Sequence, residues 1–463
     1  MRRGKAPDPP IETSGLPPVL VDAVERATAR RIVSFRRHVG GGASREGAYL
    51  ELDRDGDRID AFLAYDVRRA SDTERADFIR REAAALQLAH TAGLPVPEVL
   101  ASFPELRAIL MRRADGAARF DDKSVEHDVS LDYMAQLAAL HRVPIDGAGP
   151  TALGEPAETA QDHARRRIAE MRLRHGASAE CDPLLSLLYR WLEENIPSGE
   201  VRTVLVHGDA GPGNFLHADR RVTALLDWEL AHFGDAMEDL AWLTIRSAIV
   251  PFTPIGLLLA AYRAAGGQDI DEDRIRYWRL ICHAAVITDQ FRTLRQEKGT
   301  FGGTLGAVLT YNLLHRRLAV EALAECCAMP LPPVAIAEVD APSSERFYEI
   351  ALDDLRERIV PRVDDNVARD RMKGLARVIK FWKSRNRLGP ALDEIERVAI
   401  SEALARPFAA LSDADTALAN AIDARDIPVT TAIGLLHQRV SFETAIGSDL
   451  LGALADRHYE KLS

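Results

Sequence analysis

From Ile32 to Val67 polar and apolar residues alternate, the two-residue period of half-buried strands. Gly40-Gly41-Gly42 and Asp55-Gly56-Asp57 fall where such strands would turn back on one another. The period then lengthens. Ala76, Ile79, Ala83, Leu86 and Ala89 recur every three or four residues, which predicts a helix over 72–92 that Gly93 and Pro95 end. Two short strand candidates follow, VPEVLASF and RAILM, between Val96 and Met111. A β-β-β-α-β-β order describes a small antiparallel sheet with one helix. Past Gly116 the pattern is mostly helical, over 131–142, 156–175 and 183–196, and again from Glu238 through Leu323. Three strand-like runs interrupt it: VRTVLVHGD, NFLHA and VTALLDWE. Pro330, Pro332, Pro333 and Pro342, with Ser343 and Ser344, mark a linker. Beyond it, 345–463 has apolar residues at helical spacing, at Ile350, Leu352, Leu355 and Ile359. The expected organisation is therefore 1–18 disordered, a β-rich lobe over 19–113, a mostly helical lobe over 114–328, a linker over 329–344 and a helical accessory domain over 345–463. The fold class is α+β with an all-α extension.

Composition narrows the classes. A chain of 463 residues, 47% apolar, has room for two or three domains. A net charge of -11 argues against general nucleic-acid binding. The four cysteines, Cys181, Cys282, Cys326 and Cys327, show no C-x-x-C spacing, so reduced thiols, a cytoplasmic location and no zinc site are expected. The opening MRRGKAPDPP lacks the apolar core of a secretion signal, and no run of about 20 apolar residues suggests a membrane span.

The candidate chemistry lies in VLVHGDAGPGNFLHADRRVTALLDWELAHFGDAMED, from Val204 to Asp239. Asp209 ends one apolar run. Gly211, Pro212 and Gly213 force a tight loop, Asn214 opens a second strand, Asp219-Arg220 turns it, and Asp227 ends a third. A hairpin brings Asn214 and Asp227 together, facing Asp209. Magnesium takes oxygen ligands and usually only one or two carboxylates from a protein, a demand Asn214 and Asp227 meet. Asp209 is then placed to accept a hydrogen bond from an attacking hydroxyl. Such a set is what phosphoryl transfer from a triphosphate needs.

HGDAGPGNF, then LLDWE, then GDAMEDLAW resemble the aminoglycoside phosphotransferase and choline kinase family, relatives of the protein kinases. The branch most resembled includes the kinase-like domain fused to some acyl-CoA dehydrogenases, and the likeness covers roughly residues 30–325. YEIALDDLRERIVPRV and LLGALADRHYEKL resemble a helical domain of unknown function found fused to that branch. The resemblance implies a protein-kinase-like bilobal fold with ATP and Mg2+ between the lobes. It implies catalytic roles for Asp209, Asn214 and Asp227, a structural role for His207, and an Asp239 that braces the catalytic loop. Asp235 is placed as a helix N-cap, and Glu229 as a salt-bridge partner.

On the nucleotide side, Gly41, Gly42 and Ser44 stand where the family has a loop over the phosphates. Met111 lies in the stretch expected as the hinge, 110–113, where backbone groups would meet adenine. Glu82 matches the acid that pairs with a strand Lys or Arg in this family. Here the chain departs from the pattern, because DAFLAYDVRR carries Ala64 or Tyr65 at that place. Arg68 shares a strand face with Ala64 and is the nearest partner for Glu82. A missing ion pair is the alternative; the displaced basic residue, with the extra helical domain, motivates a second reading as a non-catalytic nucleotide-binding scaffold. Arg165, Arg166, Arg167, Arg172, Arg174 and His175 crowd one helix, which suits an anionic acceptor such as a hydroxyacyl-CoA better than a cationic antibiotic. The segment after Asp227 is too short before Glu238 for a protein kinase's activation segment. A homodimer or protein partner through the C-terminal helices is the natural role for the tail.

Overall fold

Two-residue periodicity becomes a five-stranded antiparallel sheet in the order β1-β2-β3-β5-β4, with β1 Arg31–His38, β2 Glu46–Arg54, β3 Asp57–Tyr65, β4 Val99–Phe103 and β5 Ala108–Arg112. The structure is a computed structural model that describes residues 15–38, 45–66, 73–145, 152–157, 159–176, 182–295 and 305–462. Asp55 and Gly56, at φ 56° and 91°, make the tight turn between β2 and β3. Alternate residues face opposite ways. Leu50, Leu52, Leu63, Tyr65 and Leu110 meet Leu20 and Val24 of α1, Pro18–Thr28, in a small core on one face. Ala64 and Ile109 point to the other face and join Ile79 and Leu86 of α2, Thr73–Thr91, in the main core. Helix α1 is an element the strand-like alternation from Ile32 onward gives no hint of.

Helices α3 Lys123–Leu140, α4 Ala160–His175, α5 Pro183–Glu194, α6 Ala236–Ile249, α7 Ile255–Ala264, α8 Glu272–Arg295 and α9 Leu305–Cys326 build the second lobe. Between α5 and α6 lie two small antiparallel pairs: β6 Val204–Val206 with β9 His232–Gly234, and β7 Phe215–Ala218 with β8 Arg221–Leu225. No helix or strand occupies 329–342. Then come α10 Glu345–Asp353, α11 Asn366–Ala403, α12 Leu411–Asp423, α13 Val429–Ile446 and α14 Ser448–Leu451. These last helices share the main core: Leu418, Ile422 and Ile433 are buried in one cluster with Leu185 and Leu188 of α5. A buried ion pair, Arg316 Nη1 to Asp182 Oδ2 at 2.6 Å, lies beside Glu443 of α13. Among the described residues no helix is long and apolar enough to cross a membrane, and Cys282, Cys326 and Cys327 are free thiols. Cys181 lies outside the described residues.

The C-terminal segment is also tied down by buried histidines. His283 of α8 faces His315 of α9, Nδ1 to Nδ1 at 2.9 Å, and its Nε2 meets the Tyr459 hydroxyl. Burial, aided by Arg246, lowers His315 from 6.5 to about 4, and burial with His315 and Arg279 holds His283 well below its usual range. Both rings are neutral at pH 7. Above 6.5 neither folded nor unfolded chain protonates them, so they make stability pH-independent there. As pH falls from 6.5 toward 4, the unfolded chain takes up protons that the folded chain refuses. His315 alone then removes about 3 kcal/mol, near 1.4 kcal/mol per unit. Urea unfolding across that window should show a shallower pH slope in His315→Gln than in the parent; equal slopes would refute the assignment.

Candidate active site

The centre is built on strand ends. β6 is fully buried and aims the chain toward Asp209. Gly208 follows at φ 84°, where a Cβ would lie 2.4 Å from the Leu230 carbonyl oxygen, so only glycine fits. Asp239, buried in the first turn of α6, holds this corner. Its Oδ2 accepts from the His207 N–H at 2.8 Å and its Oδ1 from the Gly208 N–H at 2.9 Å. His141 Nε2 lies 3.0 Å from Oδ2. This is the brace the resemblance implies for Asp239. Asp235 caps α6 by accepting the Met237 N–H at 3.0 Å. His207 donates from Nε2 to the Leu226 carbonyl at 2.8 Å, while its Nδ1 accepts the Asp209 N–H at 3.3 Å. It thereby ties the end of β6 to the end of β8. Burial lowers its pKa, so the ring is a neutral crosspiece.

Asn214 donates from Nδ2 to the Asp209 carbonyl at 2.9 Å and to Asp209 Oδ2 at 2.6 Å. Its amide oxygen is thus the atom left to face a cation. Asp219 and Arg220, at φ 49° and 61°, turn β7 into β8, which runs to Leu225. Asp227 then adopts φ 68°, a left-handed conformation at the end of the hairpin that favours glycine and persists only where the surroundings enforce it. Its side chain, 41% exposed, opens into the cleft between the lobes. The protein walls that cleft, and the resulting desolvation, then Glu229 and Asp209, push the carboxyl up to about 8.

The donor atoms can be tested against a divalent cation. Among the described residues no three His, Cys, Asp or Glu side chains form a metal cage. The donor set is instead one amide oxygen and one carboxylate with surplus negative charge around it. That fits a magnesium ion that takes its other ligands from water and phosphate oxygens.

Two arginines complete the centre, and neither is apparent from local spacing. Arg45, just before β2, pairs through Nη1 with Glu82 Oε2 at 2.5 Å and through Nη2 with Glu82 Oε1 at 3.2 Å. The same guanidinium lies 3.4 Å from Glu229 and 3.9 Å from Asp227. Burial opposes its charge, but these carboxylates hold it above its usual pKa. Both Glu82 oxygens are therefore engaged by Arg45. Antiparallel register explains its place: Glu46 of β2 pairs with Tyr65 of β3, so the residue before β2 sits beside the position where the sequence offers Ala64 or Tyr65. Arg68 itself lies outside the described residues, as do Gly41, Gly42 and Ser44. Arg45 could have been noticed as the charged residue closing the glycine loop.

Arg246 of α6 reaches Asp209, Nη1 to Oδ2 at 2.8 Å and to Oδ1 at 3.0 Å, and its Nε donates to the Pro212 carbonyl at 3.0 Å. Gly211 and Gly213 make room for it: a Cβ on either would lie 2.8 Å from the Arg246 side chain. Met111 is placed inside β5, paired with Phe62 and Val99, and not at a hinge. The Arg112 and Arg113 N–H groups are already bonded to Glu98 and Asp60 carbonyls, so the connection between lobes begins after Arg113.

The family described as "Phosphotransferase enzyme family" matches residues 36–278, just over half of the chain. Acyl-CoA dehydrogenase family member 11 of Gallus gallus is 30% identical over 168 residues, 33% of this chain and 21% of that protein. The chain thus spans about a fifth of the length of that relative. Hygromycin-B 4-O-kinase of Escherichia coli is 32% identical over 169 residues, 33% of this chain and 48% of that protein. Among solved structures, a macrolide 2'-phosphotransferase from Brachybacterium faecium aligns over 68% of this chain and 99% of its own, at 24% identity and a TM-score of 0.43.

Proposed function

The chain belongs to the phosphotransferase enzyme family, and from that premise we propose that it transfers the γ-phosphoryl group of ATP to the hydroxyl of a small acceptor. The observation that carries this reading is the joining of Asp209 to Asn214 at 2.6 Å, with Asp227 3.9 Å from the Arg45 guanidinium that Glu82 holds. Asp209 accepts the hydrogen bond of the acceptor hydroxyl and points its oxygen at the phosphorus. Asn214 and Asp227 would hold magnesium, which when bound would neutralise charge on the phosphate oxygens. Glu82 holds Arg45 toward the cleft, where the guanidinium is placed to meet the donor phosphates. Most of the rate then comes from positioning and fixed charge. The Arg45–Glu82 pair answers one of the two motives for the scaffold reading, the displaced cation.

Arg246 favours an anionic acceptor. A cation bound to both oxygens of Asp209 repels a polycationic antibiotic and attracts a carboxylate or phosphate beside the reacting hydroxyl. The likeness to acyl-CoA dehydrogenase relatives supports a hydroxyacyl-CoA-type acceptor. The test is ADP release with a panel of alcohols that pairs each anionic member with a neutral analogue, and with water alone. Stimulation by anionic members is expected. No ADP release with any alcohol or with water would end the kinase reading.

Asp227→Ala should abolish the magnesium-dependent part of nucleotide binding in titration calorimetry. Removing magnesium with a chelator should reproduce that loss in the parent and add nothing in the variant. Unchanged affinity in Asp227→Ala would refute the metal role.

A further inference from the structure

A second polar cavity, of about 120 Å³, lies between α2 and α4, and none of Asp209, Asn214 and Asp227 lines it. One water needs only about 10–15 Å³ on this measure, so the space admits a group of several heavy atoms. Its charged and titratable walls are Arg81 from α2, His163, Arg166, Arg167 and Glu170 from α4, and His232 and Glu238 from the β9–α6 corner. The positive charge here is incompletely matched. Arg167 shares Glu170 at 3.2 Å and Glu238 at 3.5 Å, and its Nε is buried without a hydrogen-bond partner. Arg166 donates to the Glu155 carbonyl, which carries no charge. Arg81 lies over the Phe78 ring at 5.5 Å, and among the described residues no carboxylate forms an ion pair with it. The potential is visible in the neighbours. Burial should raise Glu238, yet His232 and Arg167 bring it down to about 2, while burial and then Arg167 lower Arg81.

We infer that this cavity binds a phosphate-like anion, which bridges Arg81 on α2 to Arg166 and Arg167 on α4. Planar guanidinium groups with free N–H donors are suited to tetrahedral oxyanions. The site has a consequence for the nucleotide. Glu82 follows Arg81 on the same helix and holds Arg45, so an anion that ties α2 to α4 steadies that pair. This coupling rests on the kinase reading; the binding itself does not.

The test is calorimetric titration of inorganic phosphate into the full chain already saturated with magnesium and a non-hydrolysable ATP analogue, which fills the cleft. One site is expected. Affinity should fall about tenfold or more in Arg81→Met and in Arg166→Met, the loss of one charge-assisted contact. It should hold in Arg165→Met, whose side chain is 61% exposed outside the cavity. Arg81→Lys should recover part of the affinity. Phosphate should also lower the KM for ATP in the parent and not in Arg81→Met. No heat with the parent, parent-level affinity in either Met variant, or an Arg81→Lys no better than Arg81→Met would overturn the assignment. Failure of the ATP analogue to bind would count against the kinase reading alone, since the phosphate titration still reports on the cavity.

Discussion

Asp209→Ala should lower phosphoryl transfer by about 10²–10⁴-fold, the range for a positioned acid–base group, while magnesium–nucleotide affinity stays close to that of the parent. Among the described residues no other acidic side chain bonds to Asp209 directly. Its contacts are the Asn214 amide and the Arg246 guanidinium, so its removal leaves Asp227 and the Arg45–Glu82 pair in place. It does leave Arg246 without its carboxylate, in a site where that side chain is 23% exposed. Some loss of thermal stability is therefore expected, on the order of 1–3 kcal/mol for a partly buried unpaired charge. Nucleotide binding measured on the same sample separates that effect from chemistry. Asp209→Asn keeps the shape and a hydrogen-bonding oxygen but not the charge, and should be nearly as inactive. If either variant turns over acceptor, or water, at the parent rate, Asp209 is not the group that orients the nucleophile.

Arg45→Met should raise the KM for ATP by about tenfold or more, since a hydrogen bond to a charged group contributes roughly 1.5–3 kcal/mol. The effect has two parts. The phosphates lose a cation, and Glu82, 4% exposed, is left as a buried carboxylate with no counter-charge. The second part is removed by pairing the change with Glu82→Gln. A double-mutant cycle should therefore show strong coupling, with the double variant less impaired than the sum of the singles. Arg45→Lys should recover only part, because an ammonium cannot span both Glu82 oxygens as the guanidinium does. Arg68→Met is the control. If Arg68→Met raised the KM and Arg45→Met did not, the pairing assigned to Arg45 would be wrong.

Much of the candidate site was legible because it is local. Asp209, Asn214 and Asp227 sit within one hairpin and the strand before it, and turn geometry fixes the register of so short a unit. The Asp239 brace and the Asp235 cap belong to the same run, where backbone N–H groups at a tight corner need acceptors. The two arginines were not legible for the opposite reason. Arg45 and Glu82 are 37 residues apart, as are Arg246 and Asp209. Nothing in the spacing of either pair records the sheet register or helix packing that joins them. Antiparallel pairing of β2 with β3 brings the residue before β2 beside the end of β3, a neighbourhood that reading along β3 alone does not reveal.

The alternation of residues by itself determined the antiparallel sheet, the helical second lobe and the helical tail, since period selects which face can be buried. Residue type and spacing singled out the Asp-Asn-Asp set, whose members lie in the loops flanking β6, β7 and β8. Tertiary structure alone decided that α1 covers the outer sheet face, that Met111 lies inside β5, and that the last helices share a core with α5. It alone placed Arg45 and Arg246 against the carboxylates. Those outcomes depend on which surfaces meet, and a periodic pattern states that a face is apolar without stating what will cover it.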